Sequence, residues 1–224
     1  MPKVVMDNNV GSDSNAVNDN IFRYAHPVTE RPYHHGNLRS ALLEQAERTV
    51  RERGVQALSL RELARDAGVS HGAPRRHFSD RQALLDALAE TGFARMGTEL
   101  RAAVDAAGED FTARLQALAA AYVRFATEDA ALLELMWAGK HGDPSGPLGT
   151  AADRAFSVLL DVIEQGQAEG ALEPGEPERV GLVLFATVQG IASLLTAGMM
   201  RPEQLEPVLD DALTRFLRGS RAAV

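Results

Sequence analysis

SLRELARDAGVSHGAPRRHFSDRQALLDAL, residues 59–88, holds two helix-start signals separated by a glycine turn. Ser59 and Glu62 form the S-x-x-E pattern, in which a hydroxyl and a carboxylate satisfy backbone N–H groups left open at a helix start. The pattern predicts a helix from Ser59 to about Ala67. Gly68 then supplies a backbone free to enter the left-handed region, as a sharp turn requires. Ser70 is placed to cap a short third helix ending near Phe78, and Ser79 to Gln82 repeat the capping pattern ahead of a fourth helix through Leu84, Leu85 and Leu88. Leu60, Leu63, Ala64, Val69 and Phe78 fall where the two short helices pack together, with small Ala64 at their closest crossing. This order and spacing is that of a helix-turn-helix.

Upstream, Leu38, Leu42, Ala46 and Val50 recur at helical spacing from Asn37 onward, and Gly54 stands where a C-terminal cap belongs. That helix covers the apolar backs of the next two. Residues 1–32 are polar and aperiodic and are expected to form a disordered tail. No apolar run suited to a signal-peptide core occurs in the first twenty residues, which predicts a cytoplasmic protein. Downstream, apolar stripes predict helices over 110–127, 131–137, 151–167, 178–197 and 202–217, with HGDPSGP (141–147) and EGALEPGEP (169–177) as breaks. Aromatic residues are only 5% of the chain, while unbranched helix formers abound, so the expected class is all-α. The domains expected are a helix-turn-helix over 33–82 and a second helical domain over 83–224.

Several functional classes are removed by composition. There is no cysteine among the 224 residues, so disulfides, thiolate metal sites and cysteine nucleophiles are excluded. His34 and His35 are adjacent but lack the further ligands of a zinc site. No Ser-His-Asp set or paired-carboxylate arrangement stands out, and the chain is expected to be neither an enzyme nor the carrier of a cofactor. Net charge is −8 for the whole chain, yet unevenly spread: residues 31–81 hold ten Arg against six acids, and residues 82–224 hold eleven basic residues against twenty-one acids. A short basic module on an acidic body suits phosphate attraction, which acts locally under physiological screening.

The stretch YHHGNLRSALLEQAERTVRERGVQALSLRELARDAGVSHGAPRRHFSDRQALLDAL, residues 33–88, resembles the DNA-binding domain of the TetR family of repressors. Gly72, His77 and Phe78 match the family pattern; Pro74 and Arg75 replace its usual Leu-Tyr pair, and Arg81 replaces a Lys. The resemblance implies that the third helix enters the major groove of an operator. His71, Gly72, Ala73 and Arg76 are then candidates for base edges, since arginine bridges guanine O6 and N7 and small residues allow close approach. Ser59, Arg61, Ser70, Arg75, His77 and Arg81 are candidates for DNA contact too, mostly at backbone oxygens, which orient without specifying sequence. His34 and His35 fit an arm preceding the first helix; whether it touches DNA alongside Arg31 is left open by the sequence. Pro74, about a turn into the third helix, removes a backbone donor and crowds the Ser70 carbonyl, so a tight first turn is expected there.

Residues 180–198, VGLVLFATVQGIASLLTAG, carry no charge and approach the length of a membrane span. Their interspersed Gly, Thr, Gln and Ser residues argue against one. Ala186, Gly190, Ser193 and Ala197 instead make a stripe of small residues for close helix approach, and the resemblance implies that the last two helices build a homodimer interface. It also implies a pocket for a small apolar or amphipathic effector. Candidate lining residues are Phe111, Tyr122, Phe125, Met136, Trp137, His141, Phe156, Phe185 and Gln189, with Met200 as a filler; the bland alternative for each is core packing. The implied function is a repressor released from a palindromic operator by its effector. The alternative left open is a helical protein of this family that no longer binds DNA and acts as a ligand-binding or protein-interaction module.

Overall fold

The computed structural model describes residues 38–139 and 145–220. Among these are eight α-helices and three short 3-10 turns, with no strand. The helices are α1 (Leu38–Arg53), α2 (Leu60–Asp66), α3 (Arg81–Ala106), α4 (Phe111–Glu128), α5 (Ala130–Gly139), α6 (Pro147–Ala168), α7 (Pro177–Thr196) and α8 (Leu205–Gly219). The 3-10 turns are Val55–Ala57, Pro74–Arg76 and Pro202–Gln204.

Local chemistry sets most of these boundaries. The Glu62 N–H donates to Ser59 Oγ (3.1 Å) and starts α2, the hydroxyl half of the S-x-x-E pattern, while the Glu62 carboxylate lies 3.8 Å from Arg65. At its far end Gly68, with φ +66°, lets Val69 N–H reach Ala64 O (2.9 Å) and Gly68 N–H reach Arg65 O (3.1 Å), a Schellman closure that only glycine adopts without strain. Gly54 leaves α1 with φ +77°. At α3 the cap is Asp80, not Ser79: Asp80 Oδ1 accepts from Ala83 N–H (2.9 Å). Helices α6 and α7 begin at Pro147 and Pro177, earlier than apolar spacing alone indicates, because proline at the first helical position has the right φ and lacks only a donor the helix leaves unused.

The third helix departs most from expectation. Residues 71–73 form a turn and only Pro74–Arg76 is helical, as a 3-10 turn. Pro74 has no N–H to give the Ser70 carbonyl, which accepts from Ala73 N–H instead (2.9 Å), so the chain tightens to three-residue hydrogen bonding. The crowding expected at Pro74 thus reaches further than one turn.

A continuous apolar core runs from Leu42, Ala46 and Val50 of α1 through Leu63, Phe78, Leu84 and Leu88 to Phe93, Leu115, Phe125, Val158 and Ile163. Helix α3 is its spine: 26 residues, about 39 Å at 1.5 Å per residue, packed on α4, α5 and α6 and on α1 near its start. Helix α4 packs on α7 and α8, and α7 on α6 and α8. Gly97 lets α3 approach α6 closely, since a Cβ there would sit 3.2 Å from Ala155 Cα.

Candidate nucleic-acid interface and ligand chamber

The segment after α2 turns two residues inward and the rest outward. Pro74 and Phe78 are buried, and Arg39 of α1 lies over the Phe78 ring at 5.6 Å. Ser70, His71, Gly72, Arg75, Arg76 and His77 are exposed, with Ala73 half-buried. A Cβ built on Gly72 meets nothing within 4 Å, so the surface is open at that point. Arg61 is exposed on the first turn of α2, and Ser59 is half-buried at its cap. The ten candidates therefore gather on α2, the turn after it and the start of α3. Arg81 differs in being engaged already: Nε donates to Leu58 O (2.9 Å) and one terminal nitrogen to Val55 O (2.7 Å). Its evident task is to tie the 55–58 connection to α3. Arg31, His34 and His35 lie outside the described residues.

The aromatic candidates divide. Trp137, Phe156 and Phe185 form a triangle with centroids 5.2 to 5.9 Å apart, mostly edge to face, as ring quadrupoles favour. Tyr122 joins at 5.5 Å from Phe185, and its hydroxyl hydrogen-bonds Gln189 Oε1. Burial pushes the Tyr122 phenol above its ordinary range, so the group stays protonated as a donor. Five of the predicted residues thus converge. Phe111 instead packs on Gly166, Phe125 lies under the Arg95 guanidinium at 4.9 Å, and Met136 fills the space beside Gly92; these three are core. His141 lies outside the described residues.

Two spaces flank the aromatic cluster. One is a small apolar chamber of about 40 Å³ among α3, α4, α6 and α7, lined in part by Met96, Tyr122, Phe156 and Phe185. It is far below the roughly 300 to 1,000 Å³ of small-molecule sites. The other is an open groove of about 600 Å³ beside Trp137, Phe156, Leu160, Leu182 and Phe185. Phe156, Leu159 and Phe185 belong to both, so they form the wall between groove and chamber.

After its first turn helix α7 is apolar, with mean hydropathy 1.5, but only 28% of its most apolar window is buried. Leu182 is 64% exposed, Val183 57% and Met199 77%. Ala186, Gly190, Ser193 and Ala197 are exposed among them, and a Cβ on Gly190 meets nothing in its own chain.

A charge cluster escaped the sequence reading. Asp129, between α4 and α5, is almost fully buried; Oδ1 accepts from Arg51 Nε (2.9 Å) and from an Arg51 terminal nitrogen (2.6 Å), and Oδ2 accepts from Arg95 (2.7 Å). Glu47 completes it at 2.9 Å from Arg51 and 3.3 Å from Arg95. The hydrogen bonds and charge of Asp129 hold the Arg51 guanidinium above its usual range. The partners are 78 and 34 residues apart, so no local spacing rule points to them.

Comparison with known proteins agrees with this geometry. Residues 42–88 match the family of bacterial regulatory proteins, tetR family, and residues 115–218 match the tetracyclin repressor-like C-terminal domain. A solved structure from Rhodococcus sp. RHA1, described as a protein with unknown function, is 45% identical and has a TM-score of 0.79, covering 86% of this chain and 100% of that one. A bacterial regulatory protein in the tetR family from Rhodococcus RHA1 is 19% identical with a TM-score of 0.63, covering 83% and 97%. The TetR family transcriptional regulator PfmR from Thermus thermophilus is 22% identical with a TM-score of 0.59, covering 79% and 97%. The last two share the fold. No curated protein matches.

Proposed function

This chain belongs to the tetR family of bacterial regulatory proteins, and from that premise we propose that it is a homodimeric, non-catalytic repressor that leaves a palindromic operator when a small effector binds. The observation that carries the reading is the exposed basic surface after α2, where Arg75, Arg76 and His77 point outward over the buried anchors Pro74 and Phe78. His71, Gly72, Ala73 and Arg76 read base edges; Ser59, Arg61, Ser70, Arg75 and His77 hold phosphates, with Arg81 contributing from the first turn of α3, where it also holds the 55–58 connection. The uncovered face of α7, with Ala186, Gly190, Ser193 and Ala197, meets the same face of a second copy, and α8 extends the contact. In that dimer two recognition turns stand about 34–36 Å apart, one turn of DNA. A membrane has no part in this reading; the protein works in the cytoplasm, with the operator.

The effector is apolar or amphipathic and enters through the α6–α7 groove by displacing Phe185 and Phe156 into an enlarged chamber, where Tyr122 and Gln189 offer the polar contact. The 40 Å³ chamber is then the effector-free, DNA-competent state. Expansion tilts α3, whose first turn bears on the recognition segment, and changes the separation of the two turns. The effector acts only through its tighter binding to the expanded state. One observation favours a second reading, that of a DNA-silent ligand-binding protein: Pro74 leaves the recognition segment a single 3-10 turn. An Arg75→Ala, Arg76→Ala dimer separates the two. The first reading expects a folded dimer that fails to shift an operator bound by the wild type; equal binding by both proteins overturns it.

A further inference from the structure

Helix α5 joins two features that the proposed function leaves unconnected. Its last turns carry Trp137 into the aromatic wall beside the groove. At its start, Asp129 donates its N–H to Phe125 O (3.0 Å), closing α4, and its carbonyl accepts from Leu133 N–H (2.9 Å), opening α5. The carboxylate of that same residue receives Arg51 of α1 and Arg95 of α3. Helix α5 also packs directly on α1 and on the 55–57 turn that precedes α2. About two turns of regular helix, ~12 Å from Asp129 to Trp137 at 1.5 Å per residue, therefore separate the ligand wall from the only buried carboxylate among the described residues.

We propose that Asp129 is a positioning residue for DNA recognition: its ion bridges to Arg51 and Arg95 fix the helix-turn-helix on the body, and α5 transmits movement of the aromatic wall to that joint. The physical argument is geometric. Asp129 is 6% exposed and its two oxygens are divided between helices, so displacement of α5 cannot preserve both short contacts. Arg51 is the replaceable half, being 45% exposed with Glu47 as a second acceptor one helical turn earlier. Moving Asp129 thus releases α1 from the α4–α5 corner while each arginine keeps a carboxylate within reach, with α1 still tied to α3 by Glu47, 3.3 Å from Arg95. A buried charge with a prepared alternative partner is a two-position joint, not a simple staple. The transmission half rests on the function proposed above; the joint itself does not.

Two measurements test the halves separately. Because the chain has no cysteine, Glu52→Cys on α1 and Glu164→Cys on α6, both exposed, take spin labels without background. In oligomers diluted with unlabelled chain, the α1–α6 distance distribution is expected to be narrow and to broaden on Asp129→Asn, with helix content and sedimentation unchanged. An equally narrow distribution overturns the joint. Should Asp129→Asn fail to fold, Arg51→Gln takes its place under the same outcomes. Trp137 is the sole tryptophan and reports on α5 directly. Coupling is reciprocal, so saturating the wild type with a duplex selected by it shifts Trp137 emission, and Asp129→Asn saturated with the same duplex loses that shift. An identical shift in the variant, or none in the wild type when bound, overturns transmission. A wild type that binds no duplex defeats the DNA-binding reading, and the label distances alone then decide the joint.

Discussion

Two surfaces of this molecule are exposed for opposite reasons. The turn over residues 70–77 is cationic and polar, stands on two buried anchors and is content in water. The face of α7 and the bend after it is uncharged and apolar, with Leu182, Val183, Leu194 and Met199 open to solvent. The first offers donors to an anionic partner without needing one for folding, because solvated arginines carry no desolvation penalty. The second is a contiguous apolar patch of the kind that marks an interface. In the proposed function, charge assigns the first to nucleic acid and hydrophobicity assigns the second to another copy of the chain. On that proposal neither surface specifies an operator by itself: the α7 face would set the separation of two recognition turns, and the turns would supply contacts.

The comparison is broken most severely at Gly190. Gly190→Arg places charge on the apolar face, while its Cβ meets nothing in its own chain, so the protomer stays folded. The expected result is a monomer by sedimentation velocity and operator affinity lower by about 10²- to 10⁴-fold, the gain that linkage of two sites supplies. An intact dimer of Gly190→Arg places the interface elsewhere.

The cationic surface is sharpened by separating its two arginines. Arg76→Ala is expected to weaken binding by roughly 1–3 kcal/mol and to relax preference at one base position, as loss of a bidentate base contact does. Arg75→Ala is expected to weaken all sequences alike and to reduce the salt slope by about 1. Salt titrations of both variants on matched and mismatched duplexes distinguish them, and an exchange of the two behaviours reverses the assignment.

Smaller effects come from the caps beneath that surface. Ser59→Ala removes the acceptor for Glu62 N–H at the start of α2 and is expected to lower stability by about 1 kcal/mol in denaturant unfolding, with dimerisation unchanged. Smallest is the contribution of Asp80. Its carboxyl is held below the ordinary range by the Ala83 N–H and then by the Ser79 hydroxyl. A depressed folded-state pKa stabilises the fold above the unfolded value near 4 and loses that stabilisation as pH falls through the folded value. Asp80→Asn should therefore flatten the acid limb of the stability profile below about pH 4, where carboxylates protonate. A limb as steep as in the wild type removes Asp80 from the account.

The helical scaffold was legible because its signals are local. The start of α1, the Ser59 cap and the Gly68 turn each depend on residues within one or two turns of one another. Pro74 shows how a local signal is underestimated: its missing donor was visible, but the conversion of the segment to a 3-10 turn depended on where the Ser70 carbonyl found its substitute. The proposed ligand region was legible only as a list of large side chains. Tyr122, Trp137, Phe156, Phe185 and Gln189 meet because α4, α5, α6 and α7 cross there, whereas Phe111, Phe125 and Met136 have the same character and face the core. Asp129 was not legible at all. An acidic residue at a helix end is unremarkable in sequence, and its partners are set by packing between helices distant along the chain.

The central claim is that a pair of these chains reads a two-fold symmetric DNA site through residues 70–77. Selection of duplexes from a randomised pool by the purified wild-type protein tests it most directly. The predicted result is enrichment of two inverted half-sites with centres about 10–10.5 base pairs apart or a multiple of that spacing. A pool that emerges without sequence enrichment, or enriched in a single unpaired half-site, contradicts it.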